Sequence, residues 1–458
     1  MDPTVVQSAE RPVLSNERCD LVKMLDDGAS MDEIFEKLIN GPLVKCIVNE
    51  KWFTDDKDIM NELFLSISRG LLRCLLVNNL GPDLWDKALR SRRNWENNIY
   101  DIDGPGAYVM FTFVRDRGGK WLSKREIREL ISLLDMYRDA IKIWERRNDS
   151  DIYGTSQLID GQKDVLKMAM KIDDAVRSVA QYPSQSDDEI GRFEPRFKSS
   201  TAKDLTGYIN AMIDMLRRRC LSGVDRDIYQ CQSPLMVGNA GDMARRTSNH
   251  MSGNSFHQSP KLWGLMLSCL AVMKINVETQ AVPLFRAWTD GNQVNVAEVL
   301  ATVLAGSMVS VAGLNVKQPG TRFEEGRTSQ NAYENGKFHV FAAKPWLNEN
   351  LELCIARQPH NVGMAKEIKA AEEKLEVLQR EESDLKEEIR AAREERHMAR
   401  EEFNSCFDSL QKMVGEGRRE LKELVVKDSV DGSSVVVETS DEASTGEEVE
   451  EVAEDTSE

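Results

Sequence analysis

Residues 123–144, SKREIRELISLLDMYRDAIKIW, decide the fold class. Ser123 followed three positions later by Glu126 is a capping box, in which each side chain satisfies a backbone N–H that the first helical turn leaves unpaired. Ile127, Leu130, Ile131, Leu134, Tyr137, Ile141 and Trp144 then recur at three- and four-residue steps, which puts them on one face of an α-helix. The same grammar repeats outward in both directions. Ser30 and Glu33 form a second capping box ahead of Ile34, Phe35 and Leu38. Ile59, Leu63, Ile67, Leu71 and Leu75 predict one amphipathic helix over 55–77, closed by the breaker Gly81-Pro82. A helix is expected from Thr201 to about Leu221, with Ile209, Met212, Ile213 and Leu216 inward. Apolar helices are expected over 262–275 and, capped by Asn295 and Glu298, over 296–314. Residues 107–115, AYVMFTFVR, break the pattern with β-branched and aromatic residues and read as a strand or a buried turn before the turn residues 117–120. Residues 338–343 are expected to be extended.

From Ile368 the period changes. Ile368, Ala371, Leu375, Leu378, Glu382, Leu385, Ile389, Ala392, Arg396, Ala399, Phe403, Cys406, Leu410 and Met413 keep a heptad, with Glu382 and Arg396 as charged interruptions and Gly415 and Gly417 as the expected end. A self-associating coiled coil is the favoured reading, carried by Ile368, Leu375, Leu378, Leu385, Ile389, Phe403 and Leu410; a charged helix packed on its own body is the other. The fold expected is mainly α: a two-lobed helical body, a C-terminal heptad helix and a disordered acidic tail. The boundaries are 1–16 for a flexible N-terminal arm, 17–182 for an N-terminal lobe, and 183–200 for a polar, Pro-containing linker. A C-terminal lobe with two long polar loops follows over 201–363, then the heptad helix over 364–427 and the tail over 428–458.

The 458 residues carry 60 Lys and Arg against 77 Asp and Glu, a net charge of −17, which by itself argues against polyanionic partners. Its distribution reverses that. Residues 366–458 hold 14 basic and 29 acidic residues, net −15, leaving 46 basic and 48 acidic, net −2, for the first 365. Residues 190–261 hold 11 basic and 6 acidic residues, net +5. Eight cysteines without CxxC spacing read as reduced thiols. The N-terminal residues lack a basic and apolar secretory signal. The longest uncharged run, 299–316, is too polar for a membrane span and is expected to be a core helix.

No metal-ligand or catalytic spacing stands out: there is no GxGxxG, HExxH, GxSxG or EF-hand loop. Residues 320–328, GTRFEEGRT, lack the spacing and the Lys of a phosphate loop. The five histidines are dispersed, and His250 and His257 read as unligated surface residues in a polar loop. No catalytic residue, metal or cofactor is therefore expected. What does cluster is positive charge. Arg217, Arg218 and Arg219 close the helix from Thr201, beyond what a helix dipole requires. Arg192, Arg196, Lys198 and Lys203 precede them, interleaved with Phe193 and Phe197. Arg245 and Arg246 lie in the polar stretch 222–260, near Phe256 and Lys261; Lys317, Arg322 and Arg327 lie in the second, 315–337. Cations on loops around a helical core suit contact with a phosphate backbone, and interleaved aromatics suit base stacking. A further cluster, Arg90, Arg92 and Arg93 beside Trp95, lies in the first lobe.

With arginines at 217–219 and 245–246 and the apolar segment 259–273, SPKLWGLMLSCLAVM, the chain resembles the nucleocapsid (coat) proteins of negative-strand RNA viruses of plants, such as ophioviruses and plant rhabdoviruses. The resemblance covers roughly residues 17–345 in architecture. It implies a non-enzymatic protein that oligomerises and encapsidates single-stranded RNA in a cleft between two lobes. It also implies residence in the virion and the host cytoplasm, and a viral polymerase or phosphoprotein as a further partner. The acidic tail is then expected to compete with RNA for the basic cleft. The reading from another class is a cytosolic coiled-coil scaffold without nucleic acid.

Overall fold

A computed structural model describes residues 6–85, 97–149, 158–175, 187–199, 204–223, 225–251, 260–289, 292–320 and 328–428. It is mainly helical. In chain order the helices are α1 (Asn16–Asp26), α2 (Met31–Ile39), α3 (Lys57–Leu65), α4 (Arg69–Val77), α5 (Leu80–Leu84), α6 (Lys124–Asp149) and α7 (Asp160–Asp174). They continue with α8 (Asp187–Arg192), α9 (Gly207–Arg218), α10 (Met243–Ser248), α11 (Lys261–Val272), α12 (Gln293–Ala305), α13 (Gln330–Phe338) and α14 (Trp346–Asp428). Three strands, β1 (Gly106–Val114), β2 (Met236–Ala240) and β3 (Val277–Arg286), form one sheet in the order β2-β1-β3 with both pairings antiparallel.

That small sheet organises the body. Every residue of β1 is buried, as a strand covered on both faces must be. Side chains alternate across a strand, so Ala107, Val109, Phe111 and Phe113 enter one core while Tyr108, Met110 and Val114 enter another. The first core gathers Leu21, Phe35, Leu63, Phe64, Leu75 and Leu300, from α1 to α4 and α12. The second gathers Trp121, Leu134, Tyr137, Leu166, Met212 and Trp263, from around α6, α7, α9 and α11. Two helical layers therefore exist, but each draws on both halves of the chain. The division into lobes at 17–182 and 201–363 is corrected accordingly, because β1 from the first half is hydrogen-bonded to β2 and β3 from the second. Residues 1–361 form one compact unit, and 362–458 form another.

Both capping boxes form as read. Ser30 N donates to Glu33 Oε2 at 2.6 Å and Ser123 N to Glu126 Oε2 at 2.9 Å. Other expectations are corrected by local chemistry. The helix over 55–77 is two helices, because Ser68 takes an extended backbone and caps α4 through Leu71 N. The helix at 296–314 instead runs Gln293–Ala305 after Asn292, and Gly306 (φ 57°) ends it in the left-handed region. Residues 339–343 are a π-helical turn, not extended. The stretch 222–260 contains β2 and α10, and β3 was not foreseen. Residues 6–16 are no loose arm: Cys231 N donates to Glu10 O, Val13 N to Gln232 Oε1, and Lys120 pairs with Glu10 at 2.7 Å. Within 183–200, the described residues 187–199 carry α8 and pack Ile190 and Phe197 into the second core.

The heptad helix does not stop at Gly415 and Gly417; α14 continues to Asp428. The acidic tail from residue 429, and the cluster Arg90, Arg92, Arg93 and Trp95, lie outside the described residues. All eight cysteines are free. Among the described residues no helix is long and apolar enough to cross a membrane, and no group of side chains is arranged to hold a metal ion.

Candidate nucleic-acid interface

The cations singled out in the sequence separate into two sets. Arg219 is fully buried: it donates to Gln232 O at 3.0 Å and Ala312 O at 2.7 Å, and its guanidinium lies 5.6 Å from the Trp121 ring centroid. Burial pushes its pKa down to about 9. Its donors close loops inside the body, so it is withdrawn from the RNA-binding set. Arg218 is exposed but spends its guanidinium on Ser310 O and Val311 O, both at 3.0 Å. Arg217 is exposed and pairs with Asp214 at 3.1 Å. The three arginines follow one another in sequence and do not share a surface.

Upstream, Arg192 is exposed. Arg196 donates its backbone N–H to Asp173 Oδ2 at 3.0 Å, and Lys198 pairs with Glu194 and lies 4.4 Å from the Trp144 ring centroid. Phe197 is buried against Tyr137, so it is not a base-stacking platform. Asp173 also accepts from Tyr137 Oη at 2.7 Å, and burial raises its pKa to about 6. Lys203, Arg322, Arg327, Phe256 and His257 lie outside the described residues.

The second set converges. A cleft of about 560 Å³ opens on the second-core side of the sheet at β2, lined among others by Tyr108, Tyr208, Arg246, His250, Lys261 and Lys317. Its geometry follows from the strand edge. Backbone groups on the free side of β2 need partners, and Asn315 supplies them by exchanging two 2.8 Å hydrogen bonds with Val237 N and O. That clasp holds the chain at 314–318 beside the sheet and carries Lys317 into the cleft wall. Asp242 caps α10 by accepting from Arg245 N at 3.0 Å, and the helix so started turns Arg246 to the cleft while Arg245 stays exposed. Arg246 lies within electrostatic reach of the Tyr108 hydroxyl, and burial outweighs it, pushing that phenol up to about 12. Gly238 makes this possible, because a Cβ there would fall 2.7 Å from Tyr108 Oη.

Lys261 opens α11 and hydrogen-bonds Lys198 O. Its pKa is lowered by burial first and then by Lys198 and Lys317, so three lysines from separate segments lie within electrostatic reach of one another. Among the described residues neither Lys261 nor Lys317 forms an ion pair. Glu298 also lines the cleft, and accepts from Gly320 N at 2.9 Å. His250 is not a surface residue. It is buried, and burial together with Arg246 depresses its pKa to about 4, so it is neutral at pH 7.

The sequence singles out Arg246 and Lys317, and Lys261 only as a neighbour of Arg246 in the chain. It misses Tyr108, Tyr208, Gly238 and Asn315. Gly238, its β1 partner Tyr108 and the clasp Asn315 meet at β2, a five-residue strand whose pattern is too short to read, and Tyr208 comes from α9. Chemically, the cleft offers three cations and one carboxylate, Glu298, beside the half-buried ring of Tyr208, which suits a phosphate with an attached base or sugar. Compared with protein-family models, curated proteins and solved structures, the chain matches none.

Proposed function

We propose that this protein coats single-stranded RNA as a non-enzymatic nucleoprotein, of the kind found in the virion and host cytoplasm of negative-strand RNA viruses of plants. The observation that carries the reading is the convergence of Arg246, Lys261 and Lys317 from three separate segments on one cleft about 560 Å³ in volume. Like charges brought together repel, and a site that tolerates them is stabilised by a bound polyanion. In this reading the three cations hold phosphates without reading sequence, and Tyr208 offers a half-buried ring beside them. Copies of the chain line up on the RNA, and a viral polymerase or phosphoprotein is the further partner.

The test is a titration of nuclease-treated, full-length protein against a single-stranded RNA oligonucleotide at several salt concentrations. Three phosphate contacts per chain predict a slope of log K against log salt near about −2. Affinity independent of salt overturns the proposal. A scaffold reading is favoured by one observation, the exposed apolar stripe of 368–413. Purified protein that carries no nucleic acid and gains none in the titration supports the scaffold instead.

A further inference from the structure

The helix within the 362–428 part of α14 exposes what a lone helix should bury. Ile368, Leu375, Leu378, Leu385, Ile389, Phe403, Leu410 and Met413 are each more than half exposed along one stripe. The stripe keeps one register: with Ile368 at position a, every a and d from 368 to 413 is apolar except Glu382 and Arg396. An apolar seam of this length needs an occupant, and the charges beside it specify which.

We propose that residues 368–413 pair with a second copy of this chain as a parallel, in-register, two-stranded coiled coil. The inference is independent of RNA binding. From 381 to 400, position g is held by Glu381, Glu388 and Glu395, and position e by Lys386, Arg393 and Arg400, each five residues after one of those glutamates. In a parallel pair a g residue faces the e residue of the partner's next heptad. All three glutamates then meet a cation, on both sides of the seam. An antiparallel pair sets g against g and e against e. Within 381–400, glutamate then faces glutamate and cation faces cation. The two charged a positions do not reverse this choice. Arg396 of one chain lies next to Glu395 of the other, and Glu382 is already held by Lys386 of its own chain at 2.7 Å.

Cys406, a free and exposed thiol at a d position, makes the alignment measurable. In register, the two Cys406 residues share a layer, within the Cα separation that a disulfide spans. In an antiparallel pair that overlaps fully they are separated by roughly 45 Å. Full-length protein, freed of nucleic acid by nuclease and high salt, is weighed by analytical ultracentrifugation. It is then treated with copper phenanthroline, which takes two electrons and two protons from the thiol pair as the S–S bond forms. The expected result is a dimer that crosslinks and that no longer crosslinks as Cys406→Ser. Glu388→Lys is expected to weaken the dimer about ten-fold, and adding Arg393→Glu to restore it. A monomer, a dimer that does not crosslink through Cys406, or tighter pairing by Glu388→Lys overturns the proposal.

Discussion

Arg217–Arg219 and the trio Arg246, Lys261 and Lys317 are opposite cases of how charge in a sequence becomes charge on a surface. The first three are consecutive, at the end of an amphipathic helix. One helical turn holds 3.6 residues, so consecutive side chains point about 100° apart. Arg219 is thereby driven into the core and Arg218 onto nearby carbonyls, while Arg217 is left in solvent. The second three span more than seventy positions and arrive at one cleft because β2, α10, α11 and the segment clasped by Asn315 meet there. Contiguity in the chain is a poor guide to a shared surface. Convergence of elements creates one.

The contrast can be broken in order of effect. Arg219→Ala should be the most damaging change, costing about 3 kcal/mol of unfolding free energy by leaving Gln232 O and Ala312 O without their donor and opening a cavity. Urea denaturation measures it. A loss under 1 kcal/mol would mean that Arg219 is not the interior strut described here. Lys261→Ala with Lys317→Ala should lower RNA affinity about 30-fold at fixed salt and reduce the salt slope by about one unit, with the melting temperature nearly unchanged. An unaltered slope would move the RNA elsewhere.

Acid separates the two buried groups near the second core. His250 has a folded pKa of about 4, below its unfolded value of 6.5. The unfolded chain therefore binds more protons between those values, and the stability His250 contributes is lost as pH falls. Asp173 has a folded pKa of about 6, above its unfolded 3.8, so the folded chain binds the extra proton and gains stability over much the same window. At pH 5, relative to pH 7, the histidine costs about 2 kcal/mol and the aspartate returns about 1 kcal/mol. Denaturation midpoints of His250→Gln across pH 7 to 4 should rise on acidification relative to the parent protein. A steeper acid loss in the variant would contradict the assignment. Arg217→Ala, last, should change stability by under about 0.5 kcal/mol, as exposed i,i+3 pairs do, and RNA affinity by less than about two-fold. A large loss of affinity there would restore the arginine run to the interface.

Helix type and capping were legible because they are local. The Ser30 and Ser123 boxes, the apolar face of α6, and the heptad of 368–413 depend on residues three to seven apart, within the reach of one helix turn or two. Legibility failed where a few atoms override a period. Ser68 splits a continuous apolar stripe by capping a new helix, and Gly306 ends α12 with a left-handed residue. It failed again for β2 and β3, which exist because β1 needs partners on both edges, and for His250, whose backbone carbonyl is held by Trp263 Nε1 of α11.

The sequence by itself determined that the protein is mainly helical, that −15 of its net charge of −17 resides in its last 93 residues, and that 368–413 carries a seam with its own charge code. Each is a property of composition or of short-range spacing. Only the tertiary structure decided that the two helical layers interleave across a three-stranded sheet, that Arg219 is interior, and that Arg246, Lys261 and Lys317 are neighbours. Strand pairing and core burial join residues separated by more than a hundred positions, and no local pattern encodes which of them will meet.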